Sequence, residues 1–208
     1  MGNMNIMLFI SMAAPLGMML FIYKGKTRTS LLFLLIGISV CLFCGELNTV
    51  ILQLTNFSRR YYTVNISPLL EEILKAIPII IYAFTYKPTR QKLLESSVSV
   101  GVGFAILENA FILSQSIDTV SIILAIIRGF GAGMMHGICT LAVGFGISFI
   151  NTRRKLFYTG TAALLTMASI YHAAYNCLVQ STYQSFGFIL PLMTFVPLII
   201  ILRKKDIL

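Results

Sequence analysis

The sequence predicts an all-α integral membrane protein, a bundle of about seven transmembrane helices forming one domain over residues 1–208. Three observations predict it. Mean hydropathy is +0.87 with only 11% charged residues. Apolar runs of the roughly 18 residues or more that a membrane helix needs recur along the whole chain, leaving no room for a soluble domain between them. The basic residues fall in short clusters between these runs, so the net charge of +9 reads as a set of topology determinants and not as a nucleic-acid surface.

Taken in order, the runs place spans at about 4–23, 31–54, 66–86, 94–114, 122–150, 156–180 and 185–202. The first has no basic residue before it and a basic cluster after it, the wrong order for a cleavable signal peptide, so it is expected to remain as a helix. Lys24, Lys26 and Arg28 follow the first span, Lys87, Arg90 and Lys92 the third, Arg153, Arg154 and Lys155 the fifth, and Arg203, Lys204 and Lys205 the seventh. The opposite side receives only Arg59, Arg60 and Asp118. This bias places the N-terminus outside and the C-terminus in the cytoplasm. The fifth run is too long: Ser121 to Ile150 would make about 45 Å of helix against a hydrocarbon core of about 30 Å. Either this helix tilts strongly or residues near 118–128 form a separate short piece at the outer surface; the second is expected, with Arg128 near the outer boundary. Gly129, Gly133 and Gly137 then give a small-residue face for a neighbouring helix. Cys41, Cys44, Cys139 and Cys177 lie within apolar runs and read as small buried hydrophobes without a disulfide.

The third span is the unusual one. Ser67 is a good helix N-cap and Pro68 a good first helical residue. Glu71, Glu72 and Lys75 then enter an otherwise apolar segment, although each ionisable residue costs about 2.5–3.5 kcal/mol at the centre of a membrane helix. Lys75 lies one turn from both glutamates and can pair with either, which lowers the cost but leaves a surplus acid. That surplus points to a site.

Under the topology read from the loops, Glu71, Glu108, His136 and His172 all fall roughly 10 Å below the outer boundary, with Glu46 at a comparable depth. His172 and Asn176 are i and i+4 and share a helix face, as do Phe104 and Glu108, with Asn109 beside the acid. Carboxylates and imidazoles at one depth suit two routes to amide hydrolysis. In one, a carboxylate takes a proton from water while His and Asn donate to the developing oxyanion. In the other, His and Glu bind a divalent metal and a remaining Glu is the base; Glu108, His136 and His172 are the candidate ligands and zinc the candidate ion, leaving Glu71. A proton- or cation-coupled transporter is a third class, against which the chain shows no internal repeat.

Glu71-Glu72-Ile73-Leu74-Lys75, Gly103-Phe104-Ala105-Ile106-Leu107-Glu108-Asn109, His136, and His172 with Asn176 together resemble the PrsW family of intramembrane proteases, akin to the CAAX-processing and bacteriocin-processing membrane proteases. The motifs cover four successive spans, and the full set in this order is specific. The resemblance implies an endopeptidase of the bacterial plasma membrane that cuts a single-span membrane protein, an anti-sigma factor, at the first step of sigma-factor release. It implies Glu71 as the base, Glu72 as its essential neighbour, and His172 with Asn176 at the oxyanion. The CAAX-processing relatives carry Phe-xxx-His where this chain has Phe104-xxx-Glu108, so either His136 replaces the missing imidazole or Glu108 joins a metal site. The expected catalytic set is Glu71, Glu72, Glu108, His136, His172 and Asn176, with the substrate and the lipid bilayer as partners and no nucleic acid. The alternatives are the transporter and a non-catalytic immunity or binding relative.

Overall fold

The computed structural model describes residues 28–115, 121–184 and 186–204, together with Pro15, Met18 and Met19. Among these residues the chain is helical without strands: α1 (Arg28–Leu54), α2 (Arg59–Asn65), α3 (Ser67–Tyr86), α4 (Arg90–Gln115), α5 (Ile122–Ile147), α6 (Arg154–Val179) and α7 (Phe186–Lys204). Helices α1, α4, α5, α6 and α7 are long and apolar enough to cross a membrane, which gives five candidate spans. Helix α3 is 20 residues long but holds Glu71, Glu72 and Lys75, and so fails that test on composition. The span expected at 4–23 lies outside the described residues apart from Pro15, Met18 and Met19, as does Asp118.

Helix α3 has its polarity turned inward. Its buried face carries Glu71, Glu72, Lys75, Ala76, Ile79 and Ala83. Leu69, Ile73, Ile77, Ile81 and Phe84 are exposed, as an apolar face against lipid requires. It ends at Lys87, whose φ of 46° is left-handed, just before Pro88. Helices α4 and α5 are the most enclosed elements, and α4 is buried continuously from Ser96 to Ala105. Small hydroxyl residues suit such a helix because they bond back to their own backbone: Ser97 Oγ donates to Leu93 O at 2.7 Å, and Thr140 Oγ1 on α5 to His136 O at 2.6 Å.

Three expectations are corrected. The fifth run does not break into a separate outer piece: Ile122–Ile126 continues through a π-helical stretch, Ile127–Ala132, into Gly133–Ile147. At about 1.5 Å per residue α5 still exceeds the hydrocarbon core, an excess that tilt or protrusion absorbs. Second, an added Cβ on Gly133 or Gly137 would make only ordinary contacts, at 3.4 Å and 3.7 Å, and α5 instead meets α4 backbone to backbone where a Cβ on Gly101 would overlap the His136 carbonyl. Backbones also meet where a Cβ on Gly37 would overlap the Val100 carbonyl and one on Gly103 the Leu34 carbonyl, which locks α1 onto α4. Third, Cys177 is exposed, whereas the other three cysteines are buried.

Replacing Gly37 or Gly103 by Leu forces a side chain into a neighbouring backbone and is expected to destabilise by about 1–3 kcal/mol or more. Thermal unfolding in detergent should show a lowered midpoint for both, and no change for Gly160→Leu, whose Cβ would meet nothing within 4 Å.

Candidate active site

The site is built from the outer half of α3. Ser67 does not cap the helix, for the N-cap position is Ile66 and makes no side-chain bond. Instead its hydroxyl donates to Glu71 Oε1 at 2.6 Å. Behind it Asn48 Nδ2 donates to Ser67 Oγ at 3.0 Å, and Tyr62 Oη donates to Asn48 Oδ1 at 2.8 Å. Burial raises the Tyr62 phenol above its ordinary range and keeps it a donor. Glu72, one position on, points about 100° further round the helix and meets other partners. Its Oε1 accepts from Lys75 Nζ at 2.6 Å and from His172 Nδ1 at 2.9 Å. Lys75 thus pairs with Glu72 and leaves Glu71 without a cation of its own.

These bonds set the imidazoles. With Nδ1–H given to Glu72, His172 keeps a lone pair on Nε2, which is buried and has no partner. It lies 3.7 Å from Glu71 Oε2, also buried and without a partner, and that separation is too long for a hydrogen bond. His136 stands edge-on to His172, with ring centroids 4.7 Å apart at 82°. Its Nδ1 lies 2.8 Å from Lys75 Nζ and its Nε2 3.0 Å from Glu108 Oε2. Because an ammonium only donates, His136 accepts at Nδ1 and gives the Nε2 proton to Glu108. The Lys75 ammonium also sits over the Phe104 ring, 4.7 Å from its centroid.

Arg128, which the sequence placed near the outer boundary without a role, joins this cluster and is buried. Its Nη2 is 3.3 Å from Glu108 Oε2. Asn109 clamps it from both sides, accepting from Arg128 Nε at 3.2 Å and donating to the Arg128 carbonyl in the π-helical stretch at 2.8 Å. Such stretches are frequent at functional sites because they re-aim a side chain within a continuous helix. Its signal was present in the sequence, since an intramembrane arginine is a functional candidate by default. Ser67, Asn48 and Tyr62 gave no such signal, being ordinary residues on three different helices.

Glu71, Glu72, Glu108, His136 and His172 therefore come together. Asn176 lies one turn beyond His172, where its Nδ2 donates to the Thr63 carbonyl of α2 at 3.1 Å. Glu46 stays apart from the cluster, an exposed residue on the wall of a cavity of about 360 Å³. Glu71, Glu108, Arg128 and Asn176 also line this cavity, so the cluster has access to water.

A divalent ion fits three of these residues. Glu71, His136 and His172 each offer one ligand atom, and the three atoms lie within 4.8 Å of one another. Glu71 takes the place that the sequence gave to Glu108, which is held by Arg128 and His136. Two atoms of the trio, Glu71 Oε2 and His172 Nε2, are the buried unpartnered pair. Of the three carboxylates, Glu72 pairs with Lys75 and Glu108 with Arg128, which leaves Glu71 as the one without a lysine or arginine partner.

Lys75 and Glu71 should respond differently to substitution. Lys75→Ala removes one partner of a fully buried pair and strands Glu72, a change that costs about 3–5 kcal/mol. It is expected to lower membrane abundance and the unfolding midpoint, while the nearly isosteric Glu71→Gln leaves both near wild type, as immunoblots and detergent melting curves would show. Equal instability of the two would make the cluster a purely structural one.

No curated protein and no solved structure matches the chain. A family profile does, over residues 13–202, and its description is PrsW family intramembrane metalloprotease. The match takes in every helix of the cluster, and with it the paired glutamates on α3, the glutamate on α4 and the histidines on α5 and α6. The chain belongs to the PrsW family of intramembrane metalloproteases.

Proposed function

We propose that this membrane protease is a zinc-type endopeptidase that cuts a single-span membrane protein near the outer end of its helix. An anti-sigma factor is the substrate class that the family likeness implies, and first-step cleavage in sigma-factor release the corresponding role. The proposed setting is the bacterial plasma membrane, with the N-terminus outside and the C-terminus cytoplasmic. The observation that carries the reading is the facing pair of unpartnered buried atoms, Glu71 Oε2 and His172 Nε2, beside His136 and next to a cavity that Glu71 lines.

Glu71, His136 and His172 would hold the ion, which when bound supplies Lewis-acid polarisation of the scissile carbonyl and of the attacking water. Glu72 fixes the His172 tautomer so that its lone pair faces the site. To ligate through Nε2, His136 would have to lose to the water of the cavity the proton it now gives to Glu108, so that Glu108, which lines the cavity, stays ionised and placed to act as general base. Arg128 holds Glu108 in position, and Asn176 supplies a neutral donor for the developing oxyanion.

A metal-free route is the second reading, favoured by the Lys75–His136 contact. An ammonium at Nδ1 keeps the proton on His136 Nε2 and so opposes ligation. Glu71 would then activate water directly. Elemental analysis of purified protein separates the two. Near-stoichiometric zinc, lost in His172→Ala, is expected, whereas full activity of metal-free protein in excess chelator would leave only the carboxylate route.

The roles proposed for the cluster predict that Glu71→Gln, Glu108→Gln, His136→Ala and His172→Ala each lower cleavage by about 100-fold or more. A co-reconstituted single-span substrate is the assay, and wild-type rates in any one of them would remove that residue from the chemistry. The position of the cut follows from the site's depth. A substrate helix in lipid keeps its carbonyls bonded, so it is attacked where unwinding is cheapest, at a helix end near water. Mass spectrometry of the new termini should find them just outside, or within the first two turns of, the outer end, and Gly or Pro placed there should speed cleavage. A cytoplasmic cut would invert the topology.

A further inference from the structure

The cavity beside the site has a shape that points to how a substrate reaches it. Helices α1 and α4 touch backbone to backbone at Gly37 and Gly103. Beyond this contact the cavity runs along the same two helices, with α2, α3, α5 and α6 lining the rest of its wall. Cys41, Gly45, Asn48 and Leu52 line it at i, i+4, i+7 and i+11 along α1. Phe104, Glu108, Phe111 and Gln115 line it at the same spacing along α4. The two faces therefore form the limbs of a V whose vertex is the glycine contact. A Cβ on Gly45 would meet nothing within 4 Å, so this wall of the V is open. Leu42 and Phe111 line the cavity and are also about half exposed, at 51% and 47%, which places a mouth on the lipid-facing side.

We infer that the α1–α4 cleft is the substrate-binding groove, entered sideways from the bilayer by the unwound outer end of a single-span membrane helix. This rests on the proteolytic reading above. From Cys41 to Leu52 the cleft is about 16 Å long at 1.5 Å per residue. An extended chain rises about 3.3 Å per residue, so about five residues fit along it. A segment pulled out of helical form needs new partners for its N–H and C=O groups. The outer half of the cavity offers Asn48, Thr49, Thr63, Gln115 and Gln180. Its inner end leads to Glu71, Glu108 and Arg128, so a chain in the groove presents a peptide bond to the groups that would act on it. The groove is thus continuous with the reacting centre and polar where an unwound backbone must be satisfied.

Two substitutions and one crosslink test this. The probe is a single-span reporter carrying a Gly-Pro pair near the outer end of its helix. Gly45→Trp fills the groove from a position with space for a side chain, and should lower cleavage of the reporter by about 100-fold. Its melting midpoint and zinc content should stay at wild-type values. Gly160→Trp, equally open but on α6 away from the cavity, should cleave at the wild-type rate. In a Glu71→Gln background, a photo-crosslinking residue at Thr49 or Ile112 should capture the reporter, and one at the exposed Ile170 of α6 should not. Wild-type cleavage by Gly45→Trp overturns the groove, as does capture at Ile170 alone or capture only of lipid or a second copy of the chain at Thr49 and Ile112. If the wild type leaves the reporter intact yet Thr49 and Ile112 capture it, the groove stands and the proteolytic reading fails.

Discussion

The buried ammonium of Lys75 is the interaction on which the rest of the arrangement depends. It touches Glu72, the His136 ring and the face of Phe104, and through Glu72 it reaches His172. One charge thereby fixes groups on α3, α4, α5 and α6. In a low-dielectric interior such a charge is tolerated only with close, well-aligned partners, and removing one of them leaves the others stranded. The ammonium also sets two tautomers: it directs the His136 proton towards Glu108, and it shares Glu72 with His172 Nδ1. The order of the site is therefore an electrostatic consequence of placing one fully buried lysine among imidazoles and a carboxylate.

That arrangement explains why α3 is built inside out. Its apolar residues face lipid and cost nothing there, and its three ionisable residues face protein that can pair them. The neighbouring helices must then come close, which small residues on α1 and α4 allow. Backbone contact at Gly37 and Gly103 holds one end of the α1–α4 pair shut and leaves the other free to part around the cavity.

Helix positions were largely legible in the sequence because hydropathy and helix length are one-dimensional. The runs expected at 31–54, 66–86 and 94–114 differ from α1, α3 and α4 by only a few residues. The convergence of Glu71, Glu108, His136 and His172 was legible for a different reason: loop charges give depth, and helices in a membrane share one depth axis. Rotation about each helix axis has no such signature. For that reason the pairing of Lys75 with Glu72 and His136, the inward turn of Arg128, and the exchange of Glu71 for Glu108 in the metal-capable trio came only from the packed helices. The short helix α2 was missed because its seven residues, Arg59–Asn65, polar or aromatic except for Val64, make no hydropathy signal. The transporter reading had rested on the same intramembrane carboxylates, and membership of a protease family weighs against it.

The two proposed routes differ in what they would ask of both imidazoles. His172 gives Nδ1–H to Glu72 in either, so only its Nε2 is left to face Glu71. With a lone pair there it is a metal ligand and cannot donate to an oxyanion, and that task falls to Asn176 and Arg128 at the cavity wall. The metal-free route would leave the His136 proton on its bond to Glu108 and ask Glu71 to activate water. Under these proposals the paired glutamates of α3 would divide the work: Glu72 orients the His172 imidazole in either route, and Glu71 serves as a ligand in one and as the base in the other.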